Sequence, residues 1–166
     1  EDGLHKPSWL KDSFLDIGED IQEAADKGKR LFMTIEVKGC SYCARMNKVT
    51  FREPAIVKYL NEHFDHIQLN LQGSKEVTDM DGEAMAEKGY ARRLRMRGTP
   101  KLVFFHKPEK AQGKSGLNAV AFTTEGYWGR DQFHIMLQYV MSEAYESGQS
   151  YLDYLNSGVP ERLVFD

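Results

Sequence analysis

Only two of the 166 residues are cysteine, Cys40 and Cys43. That scarcity excludes a disulfide-stapled scaffold, which needs more cysteines at wider spacing. No apolar run approaches the ~20 residues that a membrane-spanning helix requires. A large excess of one charge is lacking too. The 22 basic residues face 25 acidic ones, a net −3, so the molecule as a whole is not a polyanion binder. Neither an internal repeat nor a disordered linker interrupts the chain. What is present, 41% apolar and 28% charged residues, is the composition of an ordinary globular protein able to bury a core without staples or structural metal. The expected organisation is one domain over 1–166, with a core of about 29–145 and a C-terminal extension of about 146–166. The first residues, Glu1-Asp2-Gly3, include no Met and no basic-then-apolar leader pattern; a cleaved leader and a trimmed chain account for this equally well.

Hydrophobic periodicity supplies the elements. Leu10, Phe14, Ile17 and Ile21 recur at helical spacing, with Ser8 or Asp12 as cap and Gly28 as stop. Residues 31–37 read as a buried strand, broken by Gly39, and 44–48 as a helix, so the cysteines sit at a strand-to-helix junction. A helix starts at Glu53-Pro54, with Ile56, Val57 and Leu60 on its apolar face. A strand covers 66–71 with Ile67, Leu69 and Leu71 inward, a polar loop 73–82 and a helix 83–95. Strands at 101–105 and 119–123 flank a polar connection. A closing helix carries Phe133, Met136, Leu137, Val140 and Met141, and a short tail helix near 151–155 is expected to pack outside the main unit. The order predicts an α/β fold, a central mixed sheet flanked by helices, with an extra N-terminal helix and a C-terminal helical tail.

Two residues at i and i+3 in a first helical turn share one face, which brings two sulfurs near disulfide range. Free N–H groups and the positive end of the helix dipole favour thiolate there. A thiolate at such a site is both a better nucleophile near neutral pH and a better leaving group. Cys40, at the start of the turn, is the expected nucleophile, and Cys43, one turn in, the resolving thiol. The competing readings are a zinc half-site and two inert core thiols. Zinc takes four ligands, and neither His63 nor His66 completes a signature with the pair. No metal is therefore assigned. Glu36, four residues before Cys40, is either a proton-transfer group or a surface carboxylate at a strand end; beside the pair it would oppose thiolate formation by like charge. By composition, Pro100 is a turn proline.

Gly39-Cys40-Ser41-Tyr42-Cys43, Thr99-Pro100 ahead of a strand and Gly126 ahead of the last helix occur in the order found in thioredoxins, which the chain resembles over roughly residues 10–155. A closer likeness is to the SoxW-type thioredoxin-related proteins, carried by residues 76–82, by Arg97-Gly98-Thr99-Pro100 leading into Leu102-Val103-Phe104-Phe105, and by Gly126-Tyr127 with Asp131-Gln132-Phe133 and Leu137-Gln138-Tyr139-Val140. The resemblance implies the thioredoxin fold and a cis Pro100 standing against the cysteine pair. It implies a substrate groove of Ser41, Tyr42, Gly98, Thr99, Pro100, Gly126 and Tyr127, with backbone groups of Thr99 offered to an extended segment. It further implies reduction or exchange of disulfides in exported proteins of the bacterial periplasm. Electrons would come from a membrane or soluble thiol reductase, with no cofactor beyond the Cys40–Cys43 disulfide and no nucleic-acid partner, and the protein is expected to be a monomer. The chain departs from ordinary thioredoxins in three places: Thr34 replaces the buried Asp, Ser41-Tyr42 replaces Gly-Pro, and Gly39 replaces the Trp before the first cysteine.

Other features reduce to blander readings. Arg92, Arg93, Arg95 and Arg97 read first as a solvated face and second as a partner patch. Gly113-Lys114-Ser115 lacks the upstream glycine of a phosphate loop. Asp79-Met80-Asp81-Gly82 lacks calcium-loop spacing, leaving Asp81 as a helix cap. Tyr127 and Trp128 suit a groove or the core equally. Three functions remain: a disulfide reductase or, by direction, an oxidant or isomerase; a copper(I) metallochaperone using the two sulfurs; and a non-catalytic binding domain.

Overall fold

The computed structural model describes residues 2–165; Glu1 and Asp166, the ends of the expected domain range, lie outside the described residues. In chain order the elements are α1 (Ile17–Asp26), β1 (Arg30–Glu36), α2 (Ser41–Lys48), α3 (Pro54–His63), β2 (Phe64–Asn70), β3 (Glu76–Thr78), β4 (Ala84–Ala86), α4 (Glu87–Arg93), β5 (Lys101–Phe105), α5 (Pro108–Ala111), β6 (Val120–Glu125), α6 (Arg130–Ser142) and α7 (Tyr151–Leu155), with single 3₁₀ turns after α2, α5 and α6.

Strand β1 is buried along its whole length, as its largely apolar run, interrupted only by Thr34 between the charged ends Arg30 and Glu36, requires of a strand covered on both faces. It pairs in parallel with β2 and antiparallel with β5, and β5 pairs antiparallel with β6, giving the order β2-β1-β5-β6. Alternation then splits the core. Leu31, Met33, Ile35, Val103 and Phe105 face α1 and α4. Phe32, Leu102 and Phe104 face α2, α3 and α6. Phe32 stacks on Phe104 at 4.7 Å, so the centre of that second layer is aromatic. The mixed sheet with helices on both faces is the architecture expected.

Four expectations change. The opening helix begins at Ile17, capped by Asp16, whose side chain accepts from Glu19 N–H at 3.1 Å, so neither Ser8 nor Asp12 caps it. Before it the chain runs as an irregular strap along the edge strand β2, with Lys11 N–H bonded to His66 C=O at 2.8 Å. Leu15 takes a left-handed conformation at φ 61°, which breaks helical continuity and leaves Phe14 99% exposed. Within 73–86 lies a two-stranded hairpin, β3 with β4, and the following helix starts only at Glu87. Asp81 caps no helix: it accepts from Glu83 N–H at 3.0 Å inside the hairpin turn, and Arg93 reaches back to pair with Asp79, Asp81 and Glu83. Finally, α7 does not pack outside the main unit. Tyr151 and Tyr154 are buried in the second core layer against Tyr139, and Tyr151 Oη donates to Gln132 C=O at 2.6 Å. A five-residue helix carries little periodicity, so its buried aromatic face at i and i+3 was not evident from spacing alone.

Tyr154→Ala should therefore cost about 3 kcal/mol or more in urea unfolding, as for other large-to-small core changes. A cost below about 0.5 kcal/mol, normal for a surface site, would show that the tail does not belong to the core.

Candidate active site

The loop between β1 and α2 turns at Gly39, whose φ of +84° is a conformation that side-chain-bearing residues rarely adopt. This explains locally why the position before the first cysteine is glycine and carries no aromatic ring. Cys40 is then the N-cap of α2 in extended backbone geometry, and its Sγ accepts from Cys43 N–H at 3.1 Å. The two residues form a disulfide, their Cα atoms 5.3 Å apart. Cys40 is half-buried and Cys43 only 4% exposed, so the sulfur that a partner reaches first is that of Cys40. Ser41 and Tyr42 face solvent, Tyr42 being 57% exposed.

The Thr99–Pro100 peptide bond is cis, and Thr99 Oγ1 donates to Cys40 Sγ at 3.1 Å. Pro100 is buried and its C=O accepts from Gly126 N–H at 2.9 Å. Glu125 holds the same loop from β6, its carboxylate accepting from Arg97 N–H at 2.8 Å. The backbone N–H and C=O of Thr99 have no partner among the described residues. Tyr127 lies against α2: the Arg45 guanidinium sits 4.4 Å from its ring centre. Trp128 N–H reaches Met46 Sδ at 3.3 Å, and Thr50 Oγ1 donates to Trp128 C=O at 2.6 Å, fixing that segment to the helix. Gly98 is exposed on the rim.

Glu36 is not a surface carboxylate. It is 3% exposed, and it lines one cavity of about 310 Å³ with Cys40, Cys43, Ser41 and Asn47. Its Oε1 accepts from Asn47 Nδ2 at 2.9 Å and its Oε2 from Gln68 Nε2 at 2.8 Å. The same Asn47 amide donates to Cys43 C=O at 3.0 Å. Burial pushes the Glu36 carboxyl above its ordinary range, and the amides of Gln68 and Asn47 only partly oppose this. Behind it, Thr34 Oγ1 lies 2.9 Å from His66 Nε2, and Trp9 Nε1 donates to His66 Nδ1 at 3.1 Å. With Nδ1 accepting, the proton of the neutral ring sits on Nε2, facing Thr34. Burial pushes His66 down to about 3, so it stays uncharged.

The structure thus gathers Cys40, Cys43, Glu36, Ser41, Thr99, Pro100 and Gly126, leaves Tyr42 and Gly98 on the rim, and gives Tyr127 to Arg45. Sequence reading missed Asn47, Gln68, His66 and the strap residues Gly3, Leu4 and His5 that wall the cavity. Asn47 was findable as the residue four after Cys43 on the same helical face. Gln68 and His66 depend on the register that sets them opposite Thr34 and Phe32.

A family model described as a thioredoxin-like domain matches residues 17–141. No curated protein matches the chain. Among solved structures, the chain is similar to a thioredoxin-fold protein from Helicobacter pylori, with 20% identity, 78% of this chain and 84% of that one covered, and a TM-score of 0.61. A thioredoxin from Thermus thermophilus aligns at 19% identity over 81% of this chain and 90% of its own, TM-score 0.59. A putative disulphide-isomerase from Bacteroides thetaiotaomicron aligns at 18% over 84% and 97%, TM-score 0.53. At these identities the likeness is one of fold, and the fold is that of thioredoxin.

A carboxyl raised by burial favours the folded state in its protonated form. Its contribution is full below the ordinary value of 4.5 and is lost as pH rises through the raised one. Urea unfolding at about pH 4 and about pH 8 should show Glu36→Gln gaining stability relative to the wild type at the higher pH. A difference that is constant or shrinks with pH would contradict a buried, raised carboxyl.

Proposed function

The chain belongs to the thioredoxin-like domain family, and from that premise we propose that its Cys40–Cys43 pair reduces or exchanges disulfides in exported partner proteins. The observation that carries this reading is the placement of the two sulfurs: one accessible at a helix N-terminus under the Thr99 hydroxyl, the other buried one turn later.

In the reduced protein, the Cys40 thiolate attacks one sulfur of a partner disulfide. The partner's S–S bond breaks, its other sulfur leaves as a thiolate that takes a proton, and Cys40 is left in a mixed disulfide. Cys43 then gives up its proton and attacks the Cys40 sulfur, and the second partner thiolate departs. Two electrons have passed to the partner and Cys40–Cys43 is oxidised. Glu36 shares the cavity with Cys43, and a carboxyl raised toward working pH suits it to take that proton. The free backbone groups of Thr99 offer an extended partner segment a strand-like contact. A membrane or soluble thiol reductase restores the dithiol. The SoxW-type likeness supports a periplasmic setting.

Cys40→Ser should abolish reduction of a protein disulfide such as that of insulin, whereas Cys43→Ala should stop at a mixed disulfide visible by intact mass and released by dithiothreitol. A Cys40→Ser protein that still turns over would overturn the reading.

A further inference from the structure

We propose that the rim around Cys40 selects partner segments whose disulfide cysteine is flanked by acidic residues; the proposal rests on the oxidoreductase reading above and names its substrate class. The starting point is where the charges fall. Residues 37–52 and 94–101, which hold the cysteine turn with its helix and the loop of Pro100, contain seven of the 22 basic residues and none of the 25 acidic ones. A chain with net charge −3 is thus strongly basic at its reactive end and acidic elsewhere.

Structure separates the cations that are engaged from those that are free to act. Lys101 pairs with Glu125, and Arg93, just outside these segments, is held by the hairpin acids. Lys38, Arg45, Lys48 and Arg97 are exposed and carry no ion pair among the described residues. Lys38 lines the cavity that holds both cysteines. Arg45 lies over Tyr127, next to the Gly126 that bonds Pro100, with Lys48 one turn further along α2. Arg97 precedes by two residues the Thr99 whose hydroxyl reaches Cys40 Sγ. The acids nearby are occupied: Glu36 is buried under two amides, Glu125 holds Arg97 N–H and Lys101, Glu53 pairs with Arg130, and Asp2 with Lys6.

The consequence for chemistry is direct. A thiolate attacking a disulfide set among carboxylates meets like-charge repulsion, and a ring of unpaired cations around the thiolate offsets it and draws the partner in. A lysine-flanked partner gains no such help. The occupant is a protein segment and not a polynucleotide, because the centre of the patch is a thiol pair beside an unpaired backbone edge, and Tyr42 is the sole strongly exposed aromatic ring near it among the described residues.

The test uses three synthetic disulfide peptides, alike except for Glu, Ser or Lys on both sides of the cysteine, reduced by the dithiol form of the full chain. At about 10 mM salt the second-order rates should fall in the order Glu, Ser, Lys, spanning about tenfold or more, and converge at about 500 mM. Lys38→Glu combined with Arg97→Glu should invert the order. Lys29→Glu combined with Lys114→Glu, an equal charge change at the end of the sheet away from Cys40, should preserve it. Equal rates for the three peptides, an order indifferent to salt, or an order untouched by the double reversal would overturn the proposal while leaving the oxidoreductase reading intact. Reduction of none of the peptides would remove that reading as well. A single-stranded oligonucleotide that binds the wild type and is lost on the double reversal, with no peptide preference, would assign the rim to another partner.

Discussion

The sulfur of Cys40 stands where a helix start ordinarily places the oxygen of Ser, Thr, Asp or Asn. It receives the N–H of Cys43 and the hydroxyl of Thr99, both at 3.1 Å. Two loops of the site serve to keep that one acceptor supplied with donors. Gly39 must turn the chain so that α2 begins at Cys40, and Pro100, tied to Gly126, must hold Thr99 over the sulfur. The core aromatics behind them, Phe32, Phe104 and Phe133, fix β1, β5 and α6 so that two loops from distant parts of the sequence meet.

A second layer of polar contacts runs beneath the pair. Where ordinary thioredoxins are expected to carry a buried acid, this chain carries Thr34, bound to a neutral His66, and the carboxylate sits two residues later at Glu36. Being one pleat nearer the end of β1, Glu36 shares a cavity with both cysteines and takes amides from Asn47 and Gln68. The strap of residues 3–5 closes the wall of that cavity, and His5 C=O accepts from the same Gln68 amide at 2.8 Å. The buried carboxyl thus lies further along the strand and still within the cavity that holds both sulfurs.

Much of this was legible in the sequence because local chemistry dictated it. The Cys40/Cys43 spacing, the apolar run of β1, the alternation of β2 and the apolar face of α6 all depend on residues close in the chain. What was not legible depends on pairing across the fold. Glu36 read equally as a surface acid until β2 and α2 closed over it. His66 gained its role only from the register with β1 and from Trp9. The strap resembled a helix because Leu10, Phe14, Ile17 and Ile21 keep helical spacing, yet Leu15 adopts a backbone angle no helix tolerates. Tyr151 and Tyr154 became core only once α6 offered Tyr139 as their neighbour.

Donors gathered at one sulfur and not the other imply a stabilised anion at Cys40 alone in the reduced protein. Alkylation of the reduced protein by iodoacetamide across pH, with the modified residue identified by peptide mapping, reads this directly. Cys40 should react first, with an apparent pKa clearly below the ~8.5 of a free thiol, while Cys43 stays protected. A Cys40 that ionises at or above that value, or a Cys43 that is alkylated first, would contradict it.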